Sequence, residues 1–353
     1  MPVTKINIEE FIKLAQSQPV IDVRSPAEYQ HAHIPGALSM PIFDNEERKV
    51  IGTAYKQESR EKAIKIGLDA FGRDLVKIVE DVEKIFTERK SASREIGVHC
   101  WRGGMRSAAI AWLLDLYGFK VYLLAGGYKA YRKWALEQFE KPYDLLVVGG
   151  YSGSDKTGIL HELEKNREKI IDLEKIAVHQ GSAFGNLEKT PQPGQEHFEN
   201  LLAMALHLLD TPARRGPVWV EAESQRIGDV NIPMPFFTSM QNCRVLFLNI
   251  PFEKRVEHIV KGYGKHDKER LINGIVRIKK RLGGLETKTA VNFLLEDDLY
   301  SCFAILLKYY DKVYLKSTLS RDNAEALISY IDSDTLDCKL NMKKIIQHVN
   351  GTA

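Results

Sequence analysis

The sequence predicts an α/β protein with two consecutive domains, each a parallel sheet flanked by helices. The chain has 353 residues, a length that fits about two domains. Short apolar strands alternate with helical patterns along both halves, and this alternation favours parallel sheets with helices on their faces. A charged stretch with a proline, residues 137–144, interrupts the apolar pattern and is typical of a linker. We therefore expect one domain over residues 1–140 and a second over residues 143–353.

The predicted strands are short apolar runs, most of them followed by a helical pattern. They cover residues 19–25, 95–100 and 120–127 in the first half, and 143–150, 169–179, 217–224, 243–250 and 311–317 in the second. The segment 106–119 has two sets of residues at helical spacing and reaches Gly118, a typical stop signal; the sets are Ala108, Ala111 and Leu114, and Ile110 and Leu113. It predicts a helix that begins just after the strand 95–100.

Composition excludes several classes of protein. The net charge is +3, so any nucleic-acid surface must be a local patch. We expect no membrane partner, because no run of 18 apolar residues occurs and the first residues do not resemble a secretory signal. The four cysteines are widely spaced, which argues against a zinc site or a disulfide framework and favours a reducing cytoplasm.

One cysteine lies in a stretch with the features of a reactive loop. The sequence HCWRGGMRS, residues 99–107, joins a predicted strand to a predicted helix, where backbone N–H groups and the helix dipole stabilise a thiolate. We predict Cys100 as the catalytic nucleophile. The predicted anion-binding loop comprises Trp101, Arg102, Gly103, Gly104, Met105 and Arg106. A core cysteine before a basic helix start is the alternative, but it leaves the arginines and glycines unexplained.

Two chemistries compete for this loop. Its spacing, His-Cys, two residues, Gly, two residues, Arg and Ser, matches the signature of protein tyrosine phosphatases. Residues 20–41 and 123–134, however, resemble the segments before and after the active loop of a rhodanese domain. That resemblance implies that Cys100 carries sulfur or selenium as a persulfide-type adduct. Asp22 and Arg24 either support the loop directly or form a structural ion pair beside it.

A second glycine-containing loop follows the strand 143–150. In GGYSGSDKTGIL, residues 149–160, Gly150, Lys156 and Thr157 fit a P-loop, but Asp155 occupies the position of its second glycine. We predict that a diphosphate binds Gly150, Ser152, Gly153, Ser154, Lys156 and Thr157. Because Asp155 brings negative charge to an anion site, the alternative is a P-loop fold whose nucleotide function is lost or altered.

Several carboxylates lie at the ends of the predicted strands around this loop. Glu221, Glu223 or Asp172 either serves as a Walker-B-like acid beside Mg²⁺ or is an ordinary solvated strand-end carboxylate. Both interpretations stay open here, and no metal ligand is assigned.

Four further segments, residues 51–68, 172–185, 191–200 and 219–233, resemble the tRNA 2-selenouridine synthase family. The resemblance implies an enzyme that acts on wobble 2-thiouridine in the anticodon region of tRNA. Its co-substrates would be geranyl diphosphate, bound by the P-loop domain, and selenophosphate, whose selenium Cys100 delivers; no bound organic cofactor is implied. The candidate substrate contacts are His179, Gln180, Ser182 and Glu221. His179 either orients the substrate or transfers a proton, or it is a strand-end histidine with a local hydrogen bond. At positions 152, 155 and 180 we expect Thr, Gly and Arg in this family, and the chain has Ser, Asp and Gln.

Residues 253–288 form a basic segment, with eleven Lys or Arg against five Asp or Glu. We predict that Lys261, Arg277, Lys280 and Arg281 bind tRNA phosphates, and Tyr263 would stack an unpaired base. The alternative is a solvated amphipathic helix pair, with one face packed inward through Leu271, Ile275, Ile278 and Leu282.

Two other functions compete with the family interpretation. The first is a cysteine-dependent phosphatase or thiosulfate-type sulfurtransferase with a degenerate nucleotide-binding module. The second is a tRNA-binding protein without catalytic activity.

Overall fold

The computed structural model describes residues 3–90, 93–181, 184, 190–209, 216–319 and 321–351. Residue contacts divide the chain into two units. The first comprises Met1–Gln138 with Glu199–Met204, and the second comprises Phe139–Phe198 with Ala205–Ala353. Each unit has its own five-stranded sheet, so the α/β class predicted from the alternating pattern is confirmed.

The first unit contains short strands and helices in alternation. Its strands are β1 Thr4–Ile6, β2 Val20–Asp22, β3 Leu38–Ser39, β4 Glu95–His99 and β5 Lys120–Leu124. Its helices are α1 Ile8–Ala15, α2 Pro26–His31, α3 Asn45–Gln57, α4 Arg60–Glu88, α5 Met105–Leu116 and α6 Gly127–Gln138. The strands are parallel, in the order β1–β5–β4–β2–β3. The central strand β4 therefore leads directly into the cysteine loop.

The second unit has a similar layered plan with more helices. Its strands are β6 Leu145–Gly150, β7 Lys169–Ile171, β8 Val218–Glu221, β9 Arg226–Ile227, β10 Val230–Asn231, β11 Arg244–Asn249 and β12 Ile328–Asp332. Its helices are α7 Lys156–Lys165, α8 Leu173–Ala177, α9 Gln195–Leu209, α10 Met234–Gln241, α11 Phe252–Tyr263, α12 Lys268–Arg277, α13 Lys279–Leu282, α14 Gly284–Leu295, α15 Leu299–Leu319, α16 Ala324–Leu327 and α17 Cys338–Gly351. The middle of α9, residues 199–204, is grouped with the first unit.

The main sheet of the second unit is parallel, in the order β12–β11–β6–β8–β7. Strand β6 is central and every one of its residues is buried, as expected for a strand covered on both faces. Strands β9 and β10 form a separate antiparallel pair. The predicted diphosphate-binding stretch, residues 150–157 and called the phosphate loop below, begins at the end of β6, at the carboxyl edge of the sheet where α/β folds bind ligands.

Two predicted strands are wrong in whole or in part. The segment 311–317 lies inside helix α15, because the helix continues from the buried face of Phe303, Leu306 and Leu307, and a short apolar run does not distinguish the two structures. The edge strand is β12 instead. The strand predicted over 169–179 ends at Ile171, because Asp172 accepts the Lys175 N–H and caps helix α8.

Candidate functional site

Glycines at close backbone approaches shape the cysteine loop, residues 100–106. Cys100 follows β4, and α5 begins at Met105 after Gly104. Gly103 has φ +64°, a conformation that favours glycine. A Cβ atom on Gly127 would collide with the Cys100 carbonyl oxygen and lie 2.5 Å from the Gly103 nitrogen. Gly127, which lies in the rhodanese-like segment 123–134, therefore lets the start of α6 pack directly against the cysteine loop.

The Cys100 thiol lies at the base of this loop, only 3% exposed. Its sulfur meets polar groups, because Ser107 Oγ lies 3.2 Å from Sγ and the N–H groups of Ser107 and Arg102 are directed at it. Burial acts to raise the pKa of Cys100, but these hydrogen bonds and the charge of Arg106 outweigh it, so the pKa lies below its ordinary value. Cys100 is thus the thiol best prepared to ionise.

The other three cysteines have the opposite electrostatics. Burial raises the pKa of Cys243 to about 11 and that of Cys302 to about 12. Burial and the neighbouring Asp155 raise the pKa of Cys338 to about 12. A nucleophile that reacts as a thiolate near neutral pH is therefore expected at Cys100.

The two loop arginines lie in different environments. Arg106 forms an ion pair with Glu28, with 2.7 Å between Nη1 and Oε2, so its side chain is held beside the loop. Arg102 is exposed at the loop surface. Trp101 is 39% exposed, with its ring 5.6 Å from that of Tyr128. The loop rim therefore carries one exposed guanidinium and one exposed indole.

Asp22 and Arg24 form a buried ion pair beneath the loop. Arg24 Nη2 donates to Asp22 Oδ2 at 2.6 Å and to the Ala32 carbonyl at 2.7 Å. The guanidinium also lies 3.9 Å from the ring centre of Tyr128. Both charged side chains are at most 1% exposed, so they do not reach solvent, and the guanidinium lies 6.0 Å from the ring centre of Trp101 in the loop.

His99 lies beside this pair as a neutral ring. Burial lowers its pKa to about 4. Its Nε2 is 3.8 Å from Asp22 Oδ2, and neither ring nitrogen has a hydrogen-bond partner within the described part of the chain. His99 therefore adds no positive charge to the cysteine loop near neutral pH.

The phosphate loop has the strand–loop–helix geometry that its sequence predicts. Gly150 has φ +151° and Gly153 φ +80°, and Lys156 Nζ donates to the Gly150 carbonyl at 3.1 Å. Ser154 is 1% exposed, and its Oγ has no hydrogen-bond partner among the residues described. The half-buried Ser152 and Thr157 complete the predicted set. The loop thus brings a lysine, two glycines and hydroxyl groups together at the start of α7.

Asp155 serves as the N-cap of α7. It has φ +58°, and its Oδ1 accepts the Gly158 N–H at 3.2 Å. Cys338 Sγ donates to its other oxygen at 3.1 Å. The carboxylate that replaces the expected glycine is therefore engaged at the helix start, where it occupies donors that an anion would otherwise use.

Sequence reasoning missed the residue that braces this loop. Arg255, counted in the basic segment, is 3% exposed. It donates to the Ser152 carbonyl at 3.0 Å and to both carboxylate oxygens of Asp311 at 2.9 and 2.8 Å. Its guanidinium lies 4.8 Å from the Tyr151 ring centre. The sequence signal for this burial is weak: Val256, the next residue, is apolar and packs on the inward face of α11.

A group of carboxyls lies on the other side of the loop. Thr157 Oγ1 donates to Glu174 Oε2 at 2.8 Å, and the Glu174 N–H donates to Glu221 Oε1 at 3.0 Å. The carboxyls of Glu174 and Glu223 are hydrogen-bonded to each other. Sequence reasoning also missed Glu174, since its approach to Thr157 depends on the fold.

Burial controls the ionisation of this group. It raises the pKa of Glu221 well above its ordinary value. Burial and the charge of Glu174 raise the pKa of Glu223 to about 7. Within the described ranges, no group of three or more His, Cys, Asp or Glu side chains is arranged to hold a metal ion, so no metal is assigned to the loop.

The four predicted substrate contacts differ in how exposed they are. His179 is half-buried, and burial lowers its pKa; its Nδ1 has no hydrogen-bond partner within the described residues. Gln180 is exposed and its Oε1 accepts the hydroxyl of Tyr263 at 3.3 Å. Ser182 lies outside the described residues. Glu221 is fully buried, so it contacts the loop through Glu174 and not through solvent.

Two known families match the two units of the chain in sequence. The profile of the tRNA 2-selenouridine synthase AAA domain matches residues 143–337, and that of the rhodanese-like domain matches residues 7–133. The first match covers more than half of the chain.

The chain belongs to the tRNA 2-selenouridine synthase family. The tRNA 2-selenouridine synthase of Nitrosomonas europaea is 36% identical over 251 residues, 69% of this chain and 63% of that enzyme. An enzyme of the same name from Pseudomonas putida is 32% identical and covers 84% of this chain and 86% of its own length. The tRNA 2-selenouridine synthase of Pseudomonas syringae pv. syringae is 31% identical, and the match covers 90% of this chain and 92% of that enzyme. The match thus spans less than two thirds of the Nitrosomonas europaea relative and most of the other two.

The basic segment of this tRNA 2-selenouridine synthase family member has a packed face and an exposed face. Leu271, Ile275, Ile278 and Leu282 are buried, as their spacing predicts. Lys261, Arg277, Lys280 and Arg281 are exposed. The ring of Tyr263 packs 5.8 Å from Phe184 and 6.0 Å from Phe303, so it is engaged within the helical cluster. No helix in the described ranges is both long and apolar enough to span a membrane.

Proposed function

We propose that the chain is a transferase that converts wobble 2-thiouridine in the anticodon region of tRNA to 2-selenouridine. Selenophosphate supplies the selenium, and geranyl diphosphate first alkylates the sulfur. The observation that carries the proposal is the Cys100 loop, which holds a thiol of lowered pKa under backbone N–H groups. Family membership supports a tRNA substrate, which would place the reaction in the cytoplasm.

The alkylation step belongs to the phosphate loop. The sulfur of 2-thiouridine attacks the first carbon of the geranyl group, diphosphate leaves, and the base loses its N3 proton. Lys156, Thr157 and the loop N–H groups stabilise the charge on the departing diphosphate. The position of Lys156 beside Gly150 supports this role, since its ammonium is already directed into the loop.

The exchange step belongs to the cysteine loop. Selenium replaces the geranylthio group on the base, geranylthiol leaves, and the phosphoryl group of selenophosphate ends as inorganic phosphate. Selenophosphate is a small tetrahedral anion, and a loop rich in N–H groups next to Arg102 suits such a ligand. The lowered pKa of Cys100 supports this role, because a thiolate is the reactive form of a cysteine.

The decisive experiment supplies the full chain with tRNA containing 2-thiouridine, geranyl diphosphate and selenophosphate, and analyses the nucleosides by mass spectrometry. We expect the wild type to form selenouridine. Cys100→Ala should accumulate the geranylated nucleoside, whereas Lys156→Ala should lose geranylation and still exchange selenium on tRNA that is already geranylated. Cys243→Ala, which changes a thiol outside both loops, is the matched control. Loss of both steps in Cys100→Ala would contradict the division of labour.

A second candidate function is a cysteine-dependent phosphatase. The phosphatase-like spacing of residues 99–107 favours it, as does the 3.2 Å distance between Ser107 Oγ and Cys100 Sγ. A chromogenic aryl phosphate distinguishes the two functions. Rapid turnover that Cys100→Ser abolishes, without selenouridine formation by the wild type, would favour the phosphatase.

A further inference from the structure

The exchange step raises a question of electron balance at Cys100. If Sγ attacked selenium, the phosphorus would leave with the bonding electron pair as phosphite, and an oxidant would be needed to reach phosphate. If Sγ attacks phosphorus, the bonding pair leaves with selenium and no oxidant is needed. The two routes therefore place different atoms on the cysteine.

The donors around Sγ fit a phosphoryl group. The N–H groups of Arg102 and Ser107 are directed at the sulfur, while the guanidinium of Arg106 is held by Glu28 beside the loop. A ligand whose oxygens accept hydrogen bonds from these amides has its phosphorus next to the sulfur. Arg102 is exposed at the rim and can neutralise an outer oxygen.

Ser107 fits the second half of such a reaction. Its Oγ lies 3.2 Å from Sγ and 3.1 Å from the Gly104 carbonyl, so the hydroxyl is held beside the sulfur from the first turn of α5. The hydroxyl can turn its single proton from the Gly104 carbonyl to the sulfur and so donate to the thiolate as it departs. The same contact that prepares the nucleophile thus prepares the leaving group.

We propose that the Cys100 thiolate attacks the phosphorus of selenophosphate and forms a phosphocysteine. The S–P bond forms, the P–Se bond breaks, and selenium takes the electron pair and a proton to become hydroselenide. Hydroselenide then displaces geranylthiol from the base. Water attacks the phosphocysteine, the S–P bond breaks with its pair on sulfur, and phosphate and the Cys100 thiolate are released. This proposal rests on the proposed function and specifies its selenium-donating half.

The test identifies the atom attached to Cys100. The full chain is mixed with selenophosphate carrying radiolabelled phosphorus, denatured at neutral pH within the turnover time, and digested for peptide mapping. We expect radiolabelled phosphorus on the peptide that contains Cys100, without the selenium isotope pattern. Cys100→Ser should lose the label, and the control Cys243→Ala should keep it. Monothiophosphate, a stable analogue, should give the same phosphocysteine and release sulfide.

Two results would overturn the proposal. One is a Cys100 peptide that carries selenium without phosphorus. The other is phosphate release that Cys100→Ser leaves unchanged. Nucleoside analysis of the same mixtures keeps this test separate from the proposed function. A phosphocysteine without any selenouridine would contradict the proposed function and support the phosphocysteine. Selenouridine together with a selenium adduct on Cys100 would support the proposed function and contradict the phosphocysteine.

Discussion

The thiol of Cys338 lies 3.1 Å from Oδ2 of Asp155, so helix α17 supplies a hydrogen-bond donor to the carboxylate that stands in place of a phosphate-loop glycine. The other carboxylate oxygen accepts the Gly158 N–H. Asp155 therefore completes the start of α7 from within the chain. A diphosphate bound in this loop would meet this negative charge.

Removing the charge of Asp155 should strengthen diphosphate binding. Asp155→Asn keeps a capping side chain without its charge, and Asp155→Gly restores the residue that suits φ +58°. We expect the Kd for inorganic diphosphate to fall about tenfold in both variants, which is about 1.4 kcal/mol. Isothermal titration calorimetry measures this change. Unchanged or weaker binding in both variants would show that Asp155 does not obstruct the loop.

Removing the hydroxyl of Ser107 should make Cys100 less acidic. The hydrogen bond from Ser107 lowers the pKa of Cys100, so Ser107→Ala should raise that pKa. The thiolate forms above the pKa, and the alkylation rate by iodoacetamide rises with pH. The variant's curve should therefore move to higher pH.

Peptide mapping follows the reaction, with Ser17→Ala, an exposed serine of the same unit, as the control. Coincident curves for Ser107→Ala and the wild type would contradict the contact.

The settings of both loops could be predicted because they depend on neighbouring residues. An apolar run, glycines and a helical pattern follow one another within about twenty residues, and each signal is local. The resemblance to rhodanese segments also used local motifs, and the profile match to residues 7–133 confirms that assignment. Local signals also explain the wrong strand at 311–317, because a short apolar run has the same pattern in a strand as in a buried helix.

The contacts that tune the loops could not be predicted, because they join residues far apart in sequence. Arg106 meets Glu28, Thr157 meets Glu174, and Asp155 meets Cys338. Whether a charged side chain is buried depends on the packing of several helices. Arg255 therefore could not be separated from the surface residues of the basic segment until the fold placed Asp311 beside it.

The carboxyl pair beside the phosphate loop should make diphosphate binding depend on pH. The pKa of Glu223 is raised to about 7, so the pair of Glu174 and Glu223 loses its shared proton as the pH rises through this value. The added negative charge near Lys156 should then weaken diphosphate binding. Glu223→Gln stays neutral, so its affinity should exceed that of the wild type above pH 7 and approach it below.

Calorimetric titrations of both proteins across neutral pH test this expectation. The ligand's own ionisation is common to both, so the ratio of the two Kd values reports on Glu223. A ratio that stays constant with pH would show that the pair does not change its charge near the loop.

Breaking the pair of Arg255 and Asp311 should destabilise the second unit and loosen the phosphate loop. Removing one partner of a fully buried ion pair costs about 3 kcal/mol, which is an upper bound here because Asp311 is 20% exposed; Arg255 also holds the Ser152 carbonyl. We expect Arg255→Met to lower the free energy of unfolding by at most that amount in urea and to weaken diphosphate binding. Arg277→Met, at an exposed position on α12, should leave both nearly unchanged. Full diphosphate affinity in folded Arg255→Met would contradict the bracing role.

Replacing the exposed basic residues should reduce the salt dependence of tRNA binding. Lys261, Arg277, Lys280 and Arg281 are exposed while the opposite face of the helices is packed, so changing all four to Ala should leave the fold intact. Each lost phosphate contact reduces the slope of log K against log salt by about 0.7 to 0.9. Filter binding with 2-thiouridine tRNA at several salt concentrations measures the slope.

Lys65→Ala with Lys77→Ala, two exposed lysines of α4, is the control. An unchanged slope in the fourfold variant would favour an ordinary solvated face, and a slope that falls equally in the control would locate the RNA contacts elsewhere.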